Sequence, residues 1–314
     1  MADDKNLAIV FPGQGSQSVG MLQELAAAFP SVRQTFAEAS EALGYDLWNL
    51  VQNGPAEELN RTDITQPAML AAGVAVWRVW QEQGGPVPAV MAGHSLGEYT
   101  ALVCAGALEF APAVRLVAER GRFMQEAVPA GEGAMAAVLG LDDDTVRSAC
   151  ARAAGEEVVE AVNLNAPGQV VIAGHKAAVE RALEELKAAG ARRAVPLPVS
   201  VPSHCALMRP AADKLADYLQ QVEIKPARIP VLHNVDVQMS SDPVAIRERL
   251  VQQLYSPVHW VGTVQTMVMQ GIKRIVECGP GKVLTGLNKR IVKEIDALAV
   301  YDPASLEAAL GERQ

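Results

Sequence analysis

The segment Gly93-His94-Ser95-Leu96-Gly97 constrains the possible fold of this chain most, because it connects a strand pattern with a helix pattern. The apolar run at residues 87–92 predicts a buried strand, and the small-residue stretch at residues 98–105 predicts a helix. A G-x-S-x-G pattern on a strand-to-helix turn is typical of a nucleophile elbow, in which flanking glycines let the chain bend and expose the serine. The pattern therefore favours an α/β layer with Ser95 as nucleophile. The alternative is a glycine-rich turn whose serine only caps the helix.

The rest of the chain alternates short apolar runs with helical patterns. Residues 7–11 predict a first strand, and the stretches at 21–43, 66–83 and 111–128 predict helices. After residue 200 the alternation continues through residues 229–234, 246–255, 261–270 and 275–278. A succession of strand, turn and helix predicts parallel strand pairing.

Residues 130–200 follow a different order. The apolar and helical patterns there run strand, helix, strand, strand, helix, strand, which is the ferredoxin-like order. We therefore expect a large α/β hydrolase-like domain at residues 1–129 and 201–314, with an inserted ferredoxin-like subdomain at residues 130–200. Such an insertion would leave a substrate cleft between the two parts.

Composition excludes several classes of function. The formal net charge of −9 disfavours nucleic acid as a partner, since phosphate binding requires a basic face. The apolar run at residues 68–77 is too short to span a membrane, and no signal-peptide pattern precedes the first strand. The 4 cysteines show no C-x-x-C spacing, which disfavours a metal site or disulfides and suits the reducing cytoplasm. We expect a cytoplasmic protein without bound metal.

A serine nucleophile needs a general base, and the chain has 5 histidines. His204 lies in a proline-bounded segment where the chain leaves the predicted insertion, and His233 ends a predicted strand. The residues alone favour His204 over His233 but leave both open, since either could be a structural imidazole.

Two further positions remain ambiguous from the residues alone. The glycine-rich turn at residues 11–17 lacks the spacing of a dinucleotide site, but its backbone could complete an oxyanion hole begun at Leu96. It could equally be an ordinary turn. Arg120 could grip a carboxylate if it is buried, although its helical pattern alone favours the surface.

Seven motifs together resemble one family, the malonyl-CoA:acyl carrier protein transacylases of type II bacterial fatty acid synthesis. Their spread from residue 7 to about residue 295 covers nearly the whole chain. In chain order they are Phe11-Pro12-Gly13-Gln14-Gly15-Ser16-Gln17, Gly93-His94-Ser95-Leu96-Gly97-Glu98-Tyr99, Arg120-Gly121 with Met124, Asn163-Leu164-Asn165-Ala166-Pro167-Gly168-Gln169, Val201-Pro202-Ser203-His204, Gln253-Leu254-Tyr255 with Pro257-Val258 and Trp260, and Glu277 with Gly279-Pro280-Gly281-Lys282-Val283-Leu284.

The resemblance implies a role for each matching position. Ser95 would be the nucleophile and His204 its base, oriented by the main-chain carbonyl of Gln253. Arg120 would bind the free carboxylate of malonate. The remaining implied site residues are the oxyanion-hole backbone groups of Gln14 and Leu96 and the weaker substrate-binding candidates Asn163 and Asn165.

The resemblance also implies the reaction and its partners. Malonyl would pass from coenzyme A to Ser95 and then to the phosphopantetheine thiol of acyl carrier protein, with no cofactor. We expect a monomer. Because carrier proteins are acidic, a local basic patch would be needed for docking, and the candidate residues are Lys282, Lys289, Arg290 and Lys293. The alternative for this patch is a solvated helix face.

Three other functions stay open on the sequence. A thioesterase or esterase would use the same Ser-His pair with water as acceptor, although no acidic third member is evident and Arg120 disfavours it. A non-catalytic module is disfavoured by the intact pair. A transacylase of polyketide synthesis or malonate decarboxylation would share these motifs and differ by its partner.

Overall fold

The computed structural model describes residues 3–199 and 201–311 and contains two separate sheets. The strands in these residues are β1 (Asp3–Phe11), β2 (Val87–Gly93), β3 (Gly133–Leu139), β4 (Val159–Ala166), β5 (Gln169–His175), β6 (Arg193–Pro196), β7 (Val231–Leu232), β8 (Arg274–Cys278) and β9 (Asp296–Val300).

Helices cover the sheets and fill most of the connections. In the same residues they are α1 (Gln23–Ala28), α2 (Pro30–Leu43), α3 (Leu47–Asn53), α4 (Ala56–Leu59), α5 (Thr62–Glu82), α6 (Leu96–Cys104), α7 (Phe110–Glu126), α8 (Asp143–Ala154), α9 (Lys176–Ala188), α10 (Arg209–Leu219), α11 (Pro243–Gln253), α12 (Trp260–Met269), α13 (Val283–Ile291) and α14 (Pro303–Leu310), with a 3₁₀ turn at Ala206–Met208.

The larger sheet has 5 parallel strands in the order β7-β2-β1-β8-β9. Its central strand β1 is apolar over residues 7–11, and each of these side chains is buried. Such a run is typical of a strand covered by helices on both faces. The prediction of an α/β layer with parallel pairing is confirmed.

Helix α5 forms much of the apolar core beside the larger sheet. Of its 21 residues 17 are buried, because it packs against α2, α6 and α7 rather than lying on the surface. A helix that is apolar around its whole circumference must be covered on every side.

The smaller sheet has 4 antiparallel strands in the order β4-β5-β3-β6. Helices α8 and α9 pack on one face over a separate apolar cluster that includes Val138, Val146, Ile172 and Leu186. Strand order and connection match the ferredoxin-like arrangement expected from the sequence. The domain limits at residues 129, 130, 200 and 201 stay a prediction.

Two of the predicted elements differ in the structure. The single helix expected over residues 21–43 is two helices, because Phe29 is extended and Pro30 starts a new helix with no N–H to donate. The strand expected over residues 229–234 contains only Val231 and Leu232. Its next two residues leave the sheet to form hydrogen bonds with Glu98.

Within residues 3–199 and 201–311, no helix combines the length and apolar character needed to cross a membrane.

Candidate active site

The carboxyl ends of adjacent parallel strands bring four loops to one edge of the larger sheet. Strand β1 leads to Gln14, β2 to Ser95, β7 to Asn234 and β8 to Gly279. Gly279 packs against Pro12, so the loops after β1 and β8 are in contact. This edge is where open α/β sheets bind their ligands.

Ser95 occupies a strained turn between β2 and α6. Its backbone has φ 52° and ψ −110°, a left-handed conformation that a residue with a Cβ seldom adopts. Neither Gly93 nor Gly97 has a positive φ, so these glycines do not permit the turn through a left-handed backbone. They are required for close approach: a Cβ on Gly93 would lie 1.8 Å from the backbone of Gly97, and one on Gly97 would lie 2.1 Å from the carbonyl of Phe11.

His204 lies beside the serine. The distance from Ser95 Oγ to His204 Nε2 is 2.7 Å, and the distance from His204 Nδ1 to the main-chain oxygen of Gln253 is also 2.7 Å. A carbonyl oxygen only accepts hydrogen bonds, so Nδ1 carries the proton and Nε2 is free to accept from the serine hydroxyl. This arrangement suits a general base.

The surroundings keep His204 neutral. Burial, reinforced by the positive charge of Arg120, lowers the pKa of the His204 imidazole from 6.5 to about 3. A neutral imidazole at physiological pH can take a proton from Ser95 without first losing one.

His233, the other candidate base, lies elsewhere in the polar interior. Its Nδ1 is 2.7 Å from Glu98 Oε1, and its side chain is fully buried. It makes no hydrogen bond with Ser95 among the described residues.

The candidates for an oxyanion hole are two backbone N–H groups that follow β1 and β2. Those of Gln14 and Leu96 have no hydrogen-bond partner within residues 3–199 and 201–311, and both residues line the cavity. Leu96 begins α6, and its N–H has no carbonyl one turn earlier in the helix to which it could donate. These groups can donate to an oxyanion formed next to Ser95.

Arg120 is buried, so the surface interpretation of its helical pattern is wrong. Its side chain is 1% exposed and reaches from α7 to the cavity, where Nη2 lies 3.5 Å from Ser95 Oγ. Nη1 donates to Gln66 Oε1 and Nη2 to Gln253 Oε1, each at 2.8 Å. Tyr99 presents its ring 5.2 Å from the guanidinium carbon.

The guanidinium of Arg120 has no carboxylate partner in the described part of the chain. Its acceptors are two neutral amides and the Ser95 hydroxyl, and its Nε has no hydrogen-bond partner there. Burial lowers the pKa of this guanidinium. A buried cation without a counter-ion favours an anionic ligand.

The cavity has a volume of about 640 Å³ and is lined by residues of the smaller sheet and of the loops that follow β1 and β2 of the larger one. Asn163 lines it, and the buried Oδ1 of Asn163 has no partner among the described residues. Asn165 does not line it; its Oδ1 is 2.8 Å from Nε2 of His94. Asn165 therefore contacts the elbow rather than the cavity.

Three polar residues close to the site were not identified from the sequence. Asn234 accepts from the Ser95 N–H at 2.8 Å, Gln66 binds Arg120, and Glu98 is fully buried. A signal was present for Glu98, since a carboxylate directly after the elbow in an otherwise apolar helix needs buried partners.

The four basic residues of the predicted patch are all exposed. Lys282 precedes α13, Lys289 and Arg290 lie in its last turn, and Lys293 follows it. Arg290 also donates to Gln169 of the smaller sheet.

No cluster of three or more histidine, cysteine or acidic side chains that could hold a metal ion occurs in residues 3–199 and 201–311.

Comparison with known proteins gives matches over almost all of the chain. The acyl transferase domain family matches residues 8–310. Proteins named malonyl CoA-acyl carrier protein transacylase are 64% identical in Salmonella typhimurium, covering 96% of this chain and 98% of the relative, and 59% identical in Haemophilus influenzae, covering 97% and 98%.

Solved structures match to a similar extent. An acyl carrier protein S-malonyltransferase from Vibrio cholerae superposes with a TM-score of 0.95 at 62% identity, covering 97% of this chain and all of that one. The malonyl-transacylase in a complex of PlMCAT with AntF, a type II PKS acyl-carrier protein, gives 0.96 at 61% identity, with 98% and 99% covered. With the family pattern matched from residue 8 to residue 310, the chain belongs to the acyl transferase family.

Proposed function

We propose that this protein transfers a malonyl group from malonyl-CoA to the phosphopantetheine thiol of acyl carrier protein. The product, malonyl-acyl carrier protein, would be used in fatty acid elongation. The observation that carries the proposal is the position of Arg120, a buried guanidinium without a carboxylate partner among the described residues, next to the Ser95–His204 pair. The names of the relatives support the same reaction.

The first half-reaction would load the serine. Ser95 Oγ attacks the thioester carbon while His204 Nε2 takes the hydroxyl proton, and the Gln14 and Leu96 N–H groups bind the oxyanion. Collapse of the tetrahedral intermediate breaks the carbon–sulfur bond. His204 returns its proton to the departing thiolate, which leaves as CoA with a free thiol, and a malonyl-serine ester remains.

The second half-reaction would reverse these steps with a different thiol. His204 takes the proton from the phosphopantetheine thiol, whose sulfur attacks the malonyl-serine ester, and the proton then passes to Ser95 Oγ. One thioester replaces another of nearly equal energy. The exchange therefore needs no redox partner and no input of energy, and we propose that no cofactor takes part.

Arg120 would select the acyl group. A malonyl carboxylate would provide the counter-ion that the guanidinium lacks, whereas an acetyl group would leave the buried charge unpaired. Asn163, with its unpartnered oxygen in the cavity wall, is a second candidate contact for substrate. Asn165 would act through His94 and not directly.

We also propose that the basic patch at Lys282, Lys289, Arg290 and Lys293 docks the acidic carrier protein, and that the enzyme acts as a monomer. The support for docking is that all four side chains are exposed and that Lys282 directly follows Gly281 in the loop after β8, on the ligand-binding edge of the larger sheet.

Intact-protein mass spectrometry tests the reaction. The protein is mixed with malonyl-CoA and then with phosphopantetheinylated acyl carrier protein. We expect one malonyl adduct that disappears as the carrier gains the same mass, and no adduct on Ser95→Ala. An equal mixture of malonyl-CoA and acetyl-CoA should give mainly the malonyl adduct.

Two results would contradict the proposal. Free CoA released without an adduct and without loading of the carrier would indicate a hydrolase. Neither an adduct nor CoA release would mean that malonyl-CoA is not the substrate. A Ser148→Ala variant, altered at an exposed position of α8 that does not line the cavity, should behave as the wild type does.

A further inference from the structure

We propose that the side chain of Gln253 is a positioning residue that keeps Arg120 ready for the acyl carboxylate, with its own orientation fixed by the buried carboxylate of Glu98. This inference rests on the proposed function. It concerns the amide of Gln253, which is distinct from the main-chain oxygen that accepts from His204.

The Gln253 side chain connects Arg120 with the nucleophile elbow. Its Oε1 accepts from Arg120 Nη2 at 2.8 Å, while its Nε2 donates to Glu98 Oε2 at 2.8 Å and to the main-chain oxygen of Ser95 at 3.0 Å. The residue is fully buried. Water therefore does not replace these contacts if they are lost.

Only one orientation of this amide satisfies its neighbours. A guanidinium can only donate hydrogen bonds, and an ionised carboxylate can only accept them. Rotating the amide by half a turn would place an NH₂ group against Arg120 and an oxygen against Glu98. Both contacts would then be repulsive, so the chemistry of the two neighbours fixes the oxygen toward Arg120.

Glu98 is itself held in place on its other sides. Its Oε1 lies 2.7 Å from His233 Nδ1, and its Oε2 accepts from the Asn234 N–H at 2.9 Å. Asn234 in turn accepts from the N–H of Ser95. The carboxylate therefore anchors the Gln253 amide to the same network that holds the elbow.

The amide also separates two buried charges. It lies between the carboxylate of Glu98 and the guanidinium of Arg120, which do not contact each other. A neutral acceptor orients the guanidinium without cancelling its charge, and Gln66 does the same at Nη1. A direct ion pair would satisfy Arg120 before substrate arrived and would compete with the acyl carboxylate.

The test compares two acylation rates in variants that retain the main-chain carbonyl at position 253. One rate is the acylation of Ser95 by malonyl-CoA, and the other is its acylation by p-nitrophenyl acetate, an ester without charge. Both report attack by Ser95, but only the first places a carboxylate against Arg120. The variants are Gln253→Met, which removes all hydrogen bonds of the amide, and Gln253→Glu, which keeps the shape and the acceptor for Arg120 but replaces the donor to Glu98 with an oxygen.

For both variants we expect the malonyl rate to fall at least about tenfold more than the ester rate. In Gln253→Met, tenfold corresponds to the lost hydrogen bond to the charged Arg120, about 1.4 kcal/mol. In Gln253→Glu the new carboxylate would pair with Arg120, so the apparent KM for malonyl-CoA should rise the most. The neighbouring exposed Gln252→Met is the matched control and should keep the wild-type ratio.

If the ratio of the malonyl rate to the ester rate stays at its wild-type value in both variants, the inference is overturned and the role of Gln253 is purely structural. If Gln253→Met does not fold, the near-isosteric Gln253→Glu decides alone. Failure of the wild-type protein to react with malonyl-CoA, while the ester still acylates Ser95, would instead overturn the proposed function on which the inference depends.

Discussion

The base and the nucleophile both occupy left-handed backbone conformations. Ser95 has φ 52° and His204 has φ 66°, and neither is glycine. Such conformations cost of the order of 1–3 kcal/mol and persist where neighbouring contacts fix them. Here the Ser95 N–H donates to Asn234 and the His204 N–H donates to the main-chain oxygen of Leu254.

At the same scale, the low pKa of His204 predicts an unusual pH profile. Because this pKa is about 3, the imidazole stays neutral as the pH falls from 8 to 5, and acylation of Ser95 by p-nitrophenyl acetate should change little. A histidine with its ordinary pKa of 6.5 would lose roughly 30-fold over the same range. Stopped-flow measurement of the p-nitrophenol burst gives the profile.

The same pH profile of Ser95 acylation, measured in Arg120→Met, provides the comparison. The guanidinium charge is one cause of the low His204 pKa, so its removal should move the acid limb to higher pH. A wild-type profile with a midpoint near 6.5 would contradict the description of His204 as a buried neutral base.

Residue patterns predicted Ser95 but could not place Arg120. A five-residue turn carries its own geometry, so the serine can be recognised locally. The burial of Arg120 depends instead on Gln66 of α5 and Gln253 of α11, which are distant in sequence. The family resemblance supplied an interpretation that helical periodicity did not.

At the scale of elements, the strand–turn–helix unit formed by β2, Ser95 and α6 was predictable because both flanking patterns are strong. The ends of β7 and the break between α1 and α2 were less so. The strand β7 stops early because His233 and Asn234 turn toward Glu98, a contact that no local pattern reports. The break at Pro30 had a local signal, since proline cannot donate within a helix.

The turn at Ser95 should store steric strain in its backbone that the substitution Ser95→Gly relieves. Ser95→Gly and Ser95→Ala both remove the nucleophile, but only glycine adopts φ 52° and ψ −110° without steric cost. We therefore expect Ser95→Gly to have a free energy of unfolding about 1 kcal/mol higher than that of Ser95→Ala, measured by urea denaturation.

Position 203 offers the matched pair for this comparison. Ser203 does not have a positive φ, so Ser203→Gly should be less stable than Ser203→Ala because glycine gains more entropy on unfolding. If glycine were also the less stable choice at position 95, the elbow would hold no strain that a Cβ causes.

At the scale of the whole molecule, the strands of the smaller sheet separate Ser95 from His204 along the sequence. Ser95 precedes β3 and His204 follows β6, so folding of the intervening strands brings residues 95 and 204 together. The order of elements predicted this arrangement in outline. The distance of 2.7 Å between the two side chains could not be predicted, since it depends on how the sheets pack.

Charge at this scale yields a prediction for carrier docking. The chain carries a net charge of −9, so an acidic partner needs a local basic surface. Alanine at Lys282, Lys289, Arg290 and Lys293 together should raise the KM for acyl carrier protein roughly tenfold by weakening electrostatic attraction. The rate of Ser95 acylation by malonyl-CoA should change much less. Steady-state and single-turnover kinetics separate these two effects.

Lys5→Ala is the control for the patch, since this exposed lysine lies in the first residues of β1, remote from the ligand-binding edge. Equal weakening of both half-reactions in the patch variant would exclude docking as its specific role. An unchanged KM for acyl carrier protein would indicate that the four residues of the basic patch form only a solvated helix face.

The acceptor that orients His204 is a peptide oxygen and not a side chain. A gene encoding an aspartate in that place could lose the group through a single base change, whereas every amino acid brings the same carbonyl to position 253. Mutation can shift this oxygen but cannot delete it. Evolution is consequently free to select the side chain at that position for a different task.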